Sequence, residues 1–328
     1  MMRIKWGILS TANIAIDAVI PAIKRSSNGG VHAIASSSGK ARRTAEYLQI
    51  PKFFENYQEM LEDPEIDAVY IPLPNNMHYE WTIKAAKAKK HILCEKPAAL
   101  SASQMEEMIS TCKKNNVLFM EAFMYRFHEQ HKKVKELVDD NVIGDIKIIR
   151  SSFSFNLLNK SDDIRLNPSL GGGSIYDVGC YCINSIRYIL EKEPTHVTAR
   201  GVLSSNGVDT SATMIMEFPN NVLATIDCSF EGTLRNEYEI VGTKGSISVP
   251  HAFRPDLNGH IGSVIVKNEY KSTEYLVSTD QYLAEVEHFS DCILNQISPS
   301  YTEENTLANM RVIDAVYQSL RKKELITL

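Results

Sequence analysis

Up to residue 122 the chain alternates between short, unbroken apolar runs and stretches with helical spacing. The apolar runs are Ile4 to Leu9, Val31 to Ala35, "DAVYIPLP" from Asp67, His91 to Cys94 and "VLFMEAF" from Val117. Between them lie Ala12 to Ile23, "KARRTAEYLQI", "HYEWTIKAAKAKK" and "SASQMEEMISTCKKN", the last with Ser101 placed as an N-cap. Strands that are apolar on both faces, each followed by a helix, require a parallel sheet covered on both sides. The fold class is therefore α/β, with residues 1–122 forming an N-terminal doubly wound Rossmann domain. Such a sheet takes its ligands beyond the carboxyl ends of its strands.

After Phe123 the pattern changes. Helical segments (Glu129 to Asp140, Ile175 to Leu190) flank "DIKIIRSSFSF" and a glycine-rich loop. "THVTARGVL", "SATMIMEF", "NVLATIDCSF" and "NEYEIVGTKGSISV" then follow with no helix between them, and helices return at Tyr282 to Leu294 and Glu303 to Arg321. Strand following strand predicts a C-terminal α+β domain over residues 123–328, built on a large, mostly antiparallel open-faced sheet. "SATMIMEF" and "NVLATIDCSF" leave Met, Val and Phe available to both faces, and an exposed apolar face signals a partner.

Composition narrows the functions open to such a chain. A net charge of −5 gives no reason to expect nucleic acid or an anionic membrane surface as a partner. No apolar run reaches the roughly 20 residues of a bilayer span, and "MMRIKWGILS" lacks the apolar core of a secretory signal. Six cysteines are scattered along the chain. Cys180 and Cys182 stand too close for a CxxC site, and no Cys/His set has zinc spacing. Reduced thiols in a cytoplasmic protein without a bound metal are the expectation.

In a dinucleotide-binding domain the turn after the first strand reads GxGxxG, so that backbone can approach the pyrophosphate at a helix N-terminus. Here Ser10, Ala12 and Ala15 of "STANIA" stand where those glycines would be, all of them small. Ser10, Thr11, Ala12, Asn13 and Ile14 are the candidate contacts. The second strand ends in "SSSGKARR" rather than in the acid that accepts from a ribose 2′-hydroxyl. Hydroxyls and cations suit a 2′-phosphate that a carboxylate would repel. Ser36, Ser37, Lys40 and Arg43 are therefore expected to bind NADP(H) in preference to NAD(H).

"HILCEKPAAL" ends a buried strand on Glu95, Lys96 and Pro97, and so sets Lys96 at the crevice where a nicotinamide would lie. In "YDVGCYCIN", Asp177 and Tyr181 are four residues apart and share one face of a helix. The three glycines at 171–173 would let that helix enter a site closely.

"EKP", "PLPNNMH" (Pro72 to His78), "EAFMYRFH" (Glu121 to His128) and "LGGGSIYDVGCYCINSIRYIL" (Leu170 to Leu190) occur in that order. Together, over essentially the whole chain, they resemble the glucose–fructose oxidoreductase, inositol dehydrogenase and dimeric dihydrodiol dehydrogenase family. The resemblance implies that Lys96 is the catalytic lysine, beside Glu95 and before a cis proline. It also implies that Asn75 and His78 hold the nicotinamide ribose or the substrate mouth, and that Leu73, Pro74, Glu95 and Lys96 join them in binding the cofactor. Inositol dehydrogenase-type members have histidine where Tyr181 stands, so the chain is more similar to the tyrosine branch. The implied reaction passes hydride between NADP(H) and a carbonyl or secondary alcohol of a sugar, cyclic polyol or dihydrodiol. Tyr181 would act as the acid, Lys96 would lower its pKa, and Asp177 would orient Lys96 or a substrate hydroxyl. Arg126, Arg165 and Asn184 are candidate substrate residues, and the loop from Asn156 to Pro168 is expected to choose the substrate. Relatives pair through the C-terminal sheet, which implies a homodimer or a higher homo-oligomer. Two other readings are a non-catalytic NADP sensor, disfavoured by the retained Lys96 and Tyr181, and an NAD-dependent glycosidase, disfavoured by "SSSGKARR".

Overall fold

The computed structural model describes residues 3–157 and 163–328. The first apolar run is β1 (Ile4–Leu9), in which only Lys5 is exposed. It is joined by β2 (Gly29–Ala35), β3 (Lys52–Phe54), β4 (Ala68–Ile71), β5 (His91–Glu95) and β6 (Phe119–Ala122). All pairings are parallel, in the order β3-β2-β1-β4-β5-β6, so the winding direction reverses beside β1. The intervening helices are α1 (Ile20–Arg25), α2 (Ala41–Tyr47), α3 (Tyr57–Glu62), α4 (Asn75–Lys87) and α5 (Ala102–Asn115). β4 and β6 are buried at every position, which explains their unbroken apolar sequence. Ser101 caps α5 as expected, its side chain accepting from the Gln104 N–H at 3.2 Å. The short β3 and α3 go unseen on sequence alone, because three and six residues are too few to show a period.

The second sheet has nine strands. After α6 (Glu129–Asp139) come β7 (Ile146–Asn156), α7 (Cys180–Leu190), β8 (His196–Leu203), β9 (Asp209–Phe218), β10 (Val222–Ser229) and β11 (Glu231–Gly242). β12 (Ser246–Val249), β13 (Ile261–Lys267), β14 (Ser272–Ser278), α8 (Gln281–Asn295), α9 (Glu303–Lys322) and β15 (Ile326–Thr327) complete the chain. The strand order is β14-β13-β12-β11-β7-β10-β9-β8-β15, and among the described residues only β7 and β10 run parallel. One face is buried and the other open. The open face differs from the expected one: Met214, Met216, Phe218 and Val222 all point inward. Thr213, Ile215 and Leu223 are exposed on the opposite side. Strict alternation along β9 and β10 allows the large apolar residues one face only.

Two compact units result. One runs to Met124 and adds Tyr282–Leu307; the other comprises Tyr125–Gln281 and Ala308–Leu328. On sequence alone residues 282–307 fall in the second domain, yet their contacts are with the first sheet. Trp6 of β1 packs against Phe289 with ring centroids 5.9 Å apart, and its indole N–H donates to Ser290 Oγ at 3.3 Å. A sheet buried on both faces needs this apolar cover whatever the chain order. Among the described residues no helix is long and apolar enough to cross a membrane.

Candidate active site

The carboxyl ends of β1, β2, β4 and β5 share one edge of the parallel sheet and carry every cofactor residue expected from the sequence. After β1, Ser10 adopts φ +141°, and its Oγ accepts from the Ala12 N–H at 3.0 Å. It thus takes a glycine-type conformation without being glycine. Thr11, Ala12 and Ile14 are partly exposed and Asn13 is exposed. The chain then makes a single π-turn, Ala15–Val19, before α1. Such wide turns recur at functional sites.

After β2, Ser36 is buried with its Oγ 2.8 Å from that of Ser38, while Ser37, Lys40 and Arg43 are exposed. Arg42 lies over the Phe53 ring at 5.1 Å. The side chains of Lys40 and Arg43 make no hydrogen bond or ion pair among the described residues. Two uncommitted cations beside hydroxyls, with no carboxylate in the segment, fit a 2′-phosphate.

His78 is spent on main-chain carbonyls. It is fully buried, with Nδ1 2.8 Å from the Pro97 carbonyl and Nε2 2.7 Å from the Leu73 carbonyl. Burial holds it below the ordinary histidine range in spite of those two carbonyls. Both ring nitrogens face main-chain carbonyls, so the residue ties the β4 turn, expected at the nicotinamide ribose or the substrate mouth, to the β5 turn. Leu73 is likewise buried, leaving Pro74 and Asn75 partly exposed on this turn.

Around Lys96 the supports converge. The Lys96–Pro97 peptide is cis. Glu95 accepts from the Tyr70 hydroxyl at 2.5 Å. Glu121 of β6, 1% exposed, accepts from the Ala98 N–H at 2.8 Å and from the Tyr301 hydroxyl at 2.9 Å. Lys96 itself remains partly exposed. Tyr70, Glu121 and Tyr301 escape the sequence reading, although an acid inside the apolar run "VLFMEAF" is a visible signal, since a buried carboxylate needs donors.

The second unit holds the other candidates. Asp177 lies in a second single π-turn, Ile175–Gly179, which leads into α7 and Tyr181. Asp177 Oδ2 accepts from Arg165 Nε at 2.8 Å, and Arg165 also pairs with Asp163 at 3.2 Å. Tyr181 is 5% exposed, its ring 5.4 Å from that of Phe153, 5.5 Å from Phe253 and 5.9 Å from Tyr125. Asn184 is fully buried, and its Oδ1 accepts from the Tyr125 hydroxyl at 2.5 Å and from Arg126 at 3.2 Å. Asn184, expected among the substrate contacts, thus supports Arg126, which lies over the Tyr188 ring at 4.3 Å. The glycines serve the chain itself: a Cβ on Gly172 would stand 2.4 Å from the Arg165 carbonyl oxygen. Residues 158–162 of the expected substrate-selecting loop lie outside the described residues.

Away from these sites His32, Asp63 and Glu65 converge closely enough to offer three ligand atoms, but Lys52 already pairs with both acids.

Comparison with known proteins bears directly on both units. Residues 4–123 match the family model described as the oxidoreductase family, NAD-binding Rossmann fold. Residues 131–248 match the GFO/IDH/MocA C-terminal domain. The D-xylose 1-dehydrogenase (NADP(+)) 2 of Haloferax volcanii is 35% identical over 96% of each chain. The trans-1,2-dihydrobenzene-1,2-diol dehydrogenase of Xenopus tropicalis is 33% identical over 91% of this chain and 92% of its own. Among solved structures, a 3-ketoreductase from Actinomadura kijaniata in complex with NADP and TDP-benzene is 28% identical. It superposes with a TM-score of 0.91, covering 97% of this chain and 98% of its own. Sequence motifs, sheet topology and full-length similarity agree: the chain belongs to the GFO/IDH/MocA family of oxidoreductases.

Proposed function

We propose that this oxidoreductase moves hydride between NADP(H) and a carbonyl or secondary alcohol of a sugar, cyclic polyol or dihydrodiol. The observation that carries the reading is Lys96, held at the carboxyl end of β5 on the sheet edge where the acid-free Ser36–Arg43 segment also lies. The similarity to an NADP-dependent xylose dehydrogenase and to dihydrodiol dehydrogenases supports both the cofactor and the substrate class.

Bound NADP(H) supplies or accepts the hydride. The chain's own residues handle the rest. Ser10 to Ile14 receive the pyrophosphate, and Ser37, Lys40 and Arg43 the 2′-phosphate. Asn75 lies at the ribose. Tyr181 exchanges a proton with the substrate oxygen, Lys96 supplies the positive charge that this exchange needs, and Asp177 with Arg165 orients substrate hydroxyls. Positioned acid–base groups of this kind contribute about 10²–10⁴ in rate. The open face of the nine-stranded sheet joins two copies into a homodimer. Six buried cysteines, none of them in a disulfide among the described residues, favour a reducing, cytoplasmic setting.

The test is NADP⁺ reduction with D-xylose, other aldoses, cyclic polyols and a trans-dihydrodiol as probes. Lys96→Met and Tyr181→Phe should each lower kcat by about 10²–10⁴ while leaving the KM for NADP⁺ nearly unchanged. Lys40→Ala with Arg43→Ala should raise the KM for NADP⁺ about tenfold or more and leave that for NAD⁺ alone. Full turnover in Lys96→Met or Tyr181→Phe would end the assignment.

A further inference from the structure

The segment carrying Asp177 and Tyr181 starts without a side-chain cap from its own residues. Its acceptor comes from another element. Asp209, the first residue of β9, is 3% exposed. One carboxylate oxygen accepts from the Ile175 N–H at 2.8 Å and from Ser174 Oγ at 2.9 Å. The other accepts from the Tyr317 hydroxyl of α9 at 2.9 Å. The approach depends on Gly173, at φ +139°, where a Cβ would stand 2.3 Å from Asp209 Oδ1. Tyr317 is braced in turn by Tyr176, with ring centroids 4.6 Å apart. Burial pushes the Asp209 carboxyl above the usual carboxylate range, and the hydrogen bonds from Ile175, Tyr317 and Ser174 oppose that rise.

The anchor lies two residues before Asp177 and six before Tyr181. The Gly173 N–H also donates to the Arg165 carbonyl at 3.0 Å, and Arg165 returns to Asp177. The helix start is thus held both through the Asp209 carboxylate and through the loop that carries the partner of Asp177. A π-turn has a looser hydrogen-bond pattern than an α-turn, so a segment that opens with one gains its rotational setting from outside contacts. Small displacements at this point reach the reacting groups directly, and rates depend steeply on such placement.

We propose that Asp209, clamped by Tyr317, is a positioning residue that sets the rotation of the Ile175–Leu190 segment and thereby the placement of Asp177 and Tyr181. The inference rests on the reading that these two groups serve the proton transfer, and it deepens that reading by assigning what holds them.

Two readouts separate the anchor from the reaction. Hydrogen–deuterium exchange on the full chain should show faster exchange in Asp209→Ala across residues 174–184, with the parallel sheet of the first unit unchanged. Tyr317→Phe, which removes a single hydroxyl and spares the fold, should do the same more weakly. In the turnover assay Asp209→Ala should lower kcat about tenfold or more with the KM for NADP⁺ nearly unchanged. It should cost less in a Tyr181→Phe background, because part of its effect acts through that residue. Asp209→Asn, which keeps one oxygen, should recover part of the loss. Unchanged exchange over 174–184 in both Asp209→Ala and Tyr317→Phe overturns the anchor, as does an equal loss of kcat with and without Tyr181. If Tyr181→Phe alone keeps full turnover, the proton-transfer reading fails, and the exchange data still decide whether Asp209 anchors the segment.

Discussion

Ser10 shows how much a single backbone angle can hide behind a weak motif. At φ +141° a residue other than glycine carries strain of about 1–3 kcal/mol, and this one returns part of it through the hydrogen bond from Ala12. Ser10→Ala keeps the strain and loses the acceptor, whereas Ser10→Gly loses both. Thermal or urea unfolding should therefore rank Ser10→Gly above Ser10→Ala by about 1 kcal/mol. The reverse order would mean that the angle costs nothing here. The smallness of Ser10, Ala12 and Ala15 was legible in the sequence, but the angle was not, because several small residues satisfy the same pattern. His78 is the converse case. Its motif marks it as part of the site, yet its role depends on the carbonyls of Leu73 and Pro97 turning towards it, and no local spacing records that.

At the level of elements, the strand–helix alternation was readable because each buried strand is apolar throughout, and the turns that carry Lys96 and Ser36–Arg43 followed from it. The allegiance of α8 was not, because chain order places it after the second sheet whereas packing places it against the first. Its burial there has a cost in Glu285, which is 1% exposed and has one carboxylate oxygen without a hydrogen-bond partner. Burial first, and the nearby Glu95 charge second, push its carboxyl well above the usual carboxylate range. Below the unfolded chain's carboxylate pKa, both states hold the proton and nothing is lost. As pH rises past it the unfolded chain ionises while the folded chain keeps its proton, so stability drains away towards neutrality. Glu285→Gln removes that titration. It should be more stable than the parent at pH 7–8, with the difference closing by about pH 4. A gap independent of pH, or a variant less stable than the parent at pH 8, would contradict the protonated acid.

For the whole molecule, the proposed homodimer would form through the open sheet face. Alternation along β9 and β10 announced that one face would be left over; which side chains it carries depended on strand phase, and the parallel pairing of β7 with β10 had no local signal at all. The exposed surface is mixed rather than apolar. Ile215 and Leu223 are 45% and 44% exposed, and near them Arg150 pairs with Glu239 and Arg235 with Asp227, both at 2.8 Å. A hollow of about 370 Å³ lies among Arg150, Asp227, Arg235, Glu237 and Glu239. Such composition suits a partner surface, since non-obligate interfaces are about as apolar as the remaining surface, and a second copy offers the same charges in reverse order across a two-fold axis. In water these pairs contribute little, whereas once covered by a partner the loss of one cation leaves its acids unpaired. Light scattering should therefore give about twice the 36.9 kDa chain mass for the parent. Arg235→Glu, which sets a third carboxylate beside Asp227 and Glu237, should halve that mass with circular dichroism unchanged. Leu223→Asp should do the same by placing a charge on the apolar part of the face. A parent that runs as a monomer at micromolar concentration, or two variants that both stay paired, would place the assembly surface elsewhere.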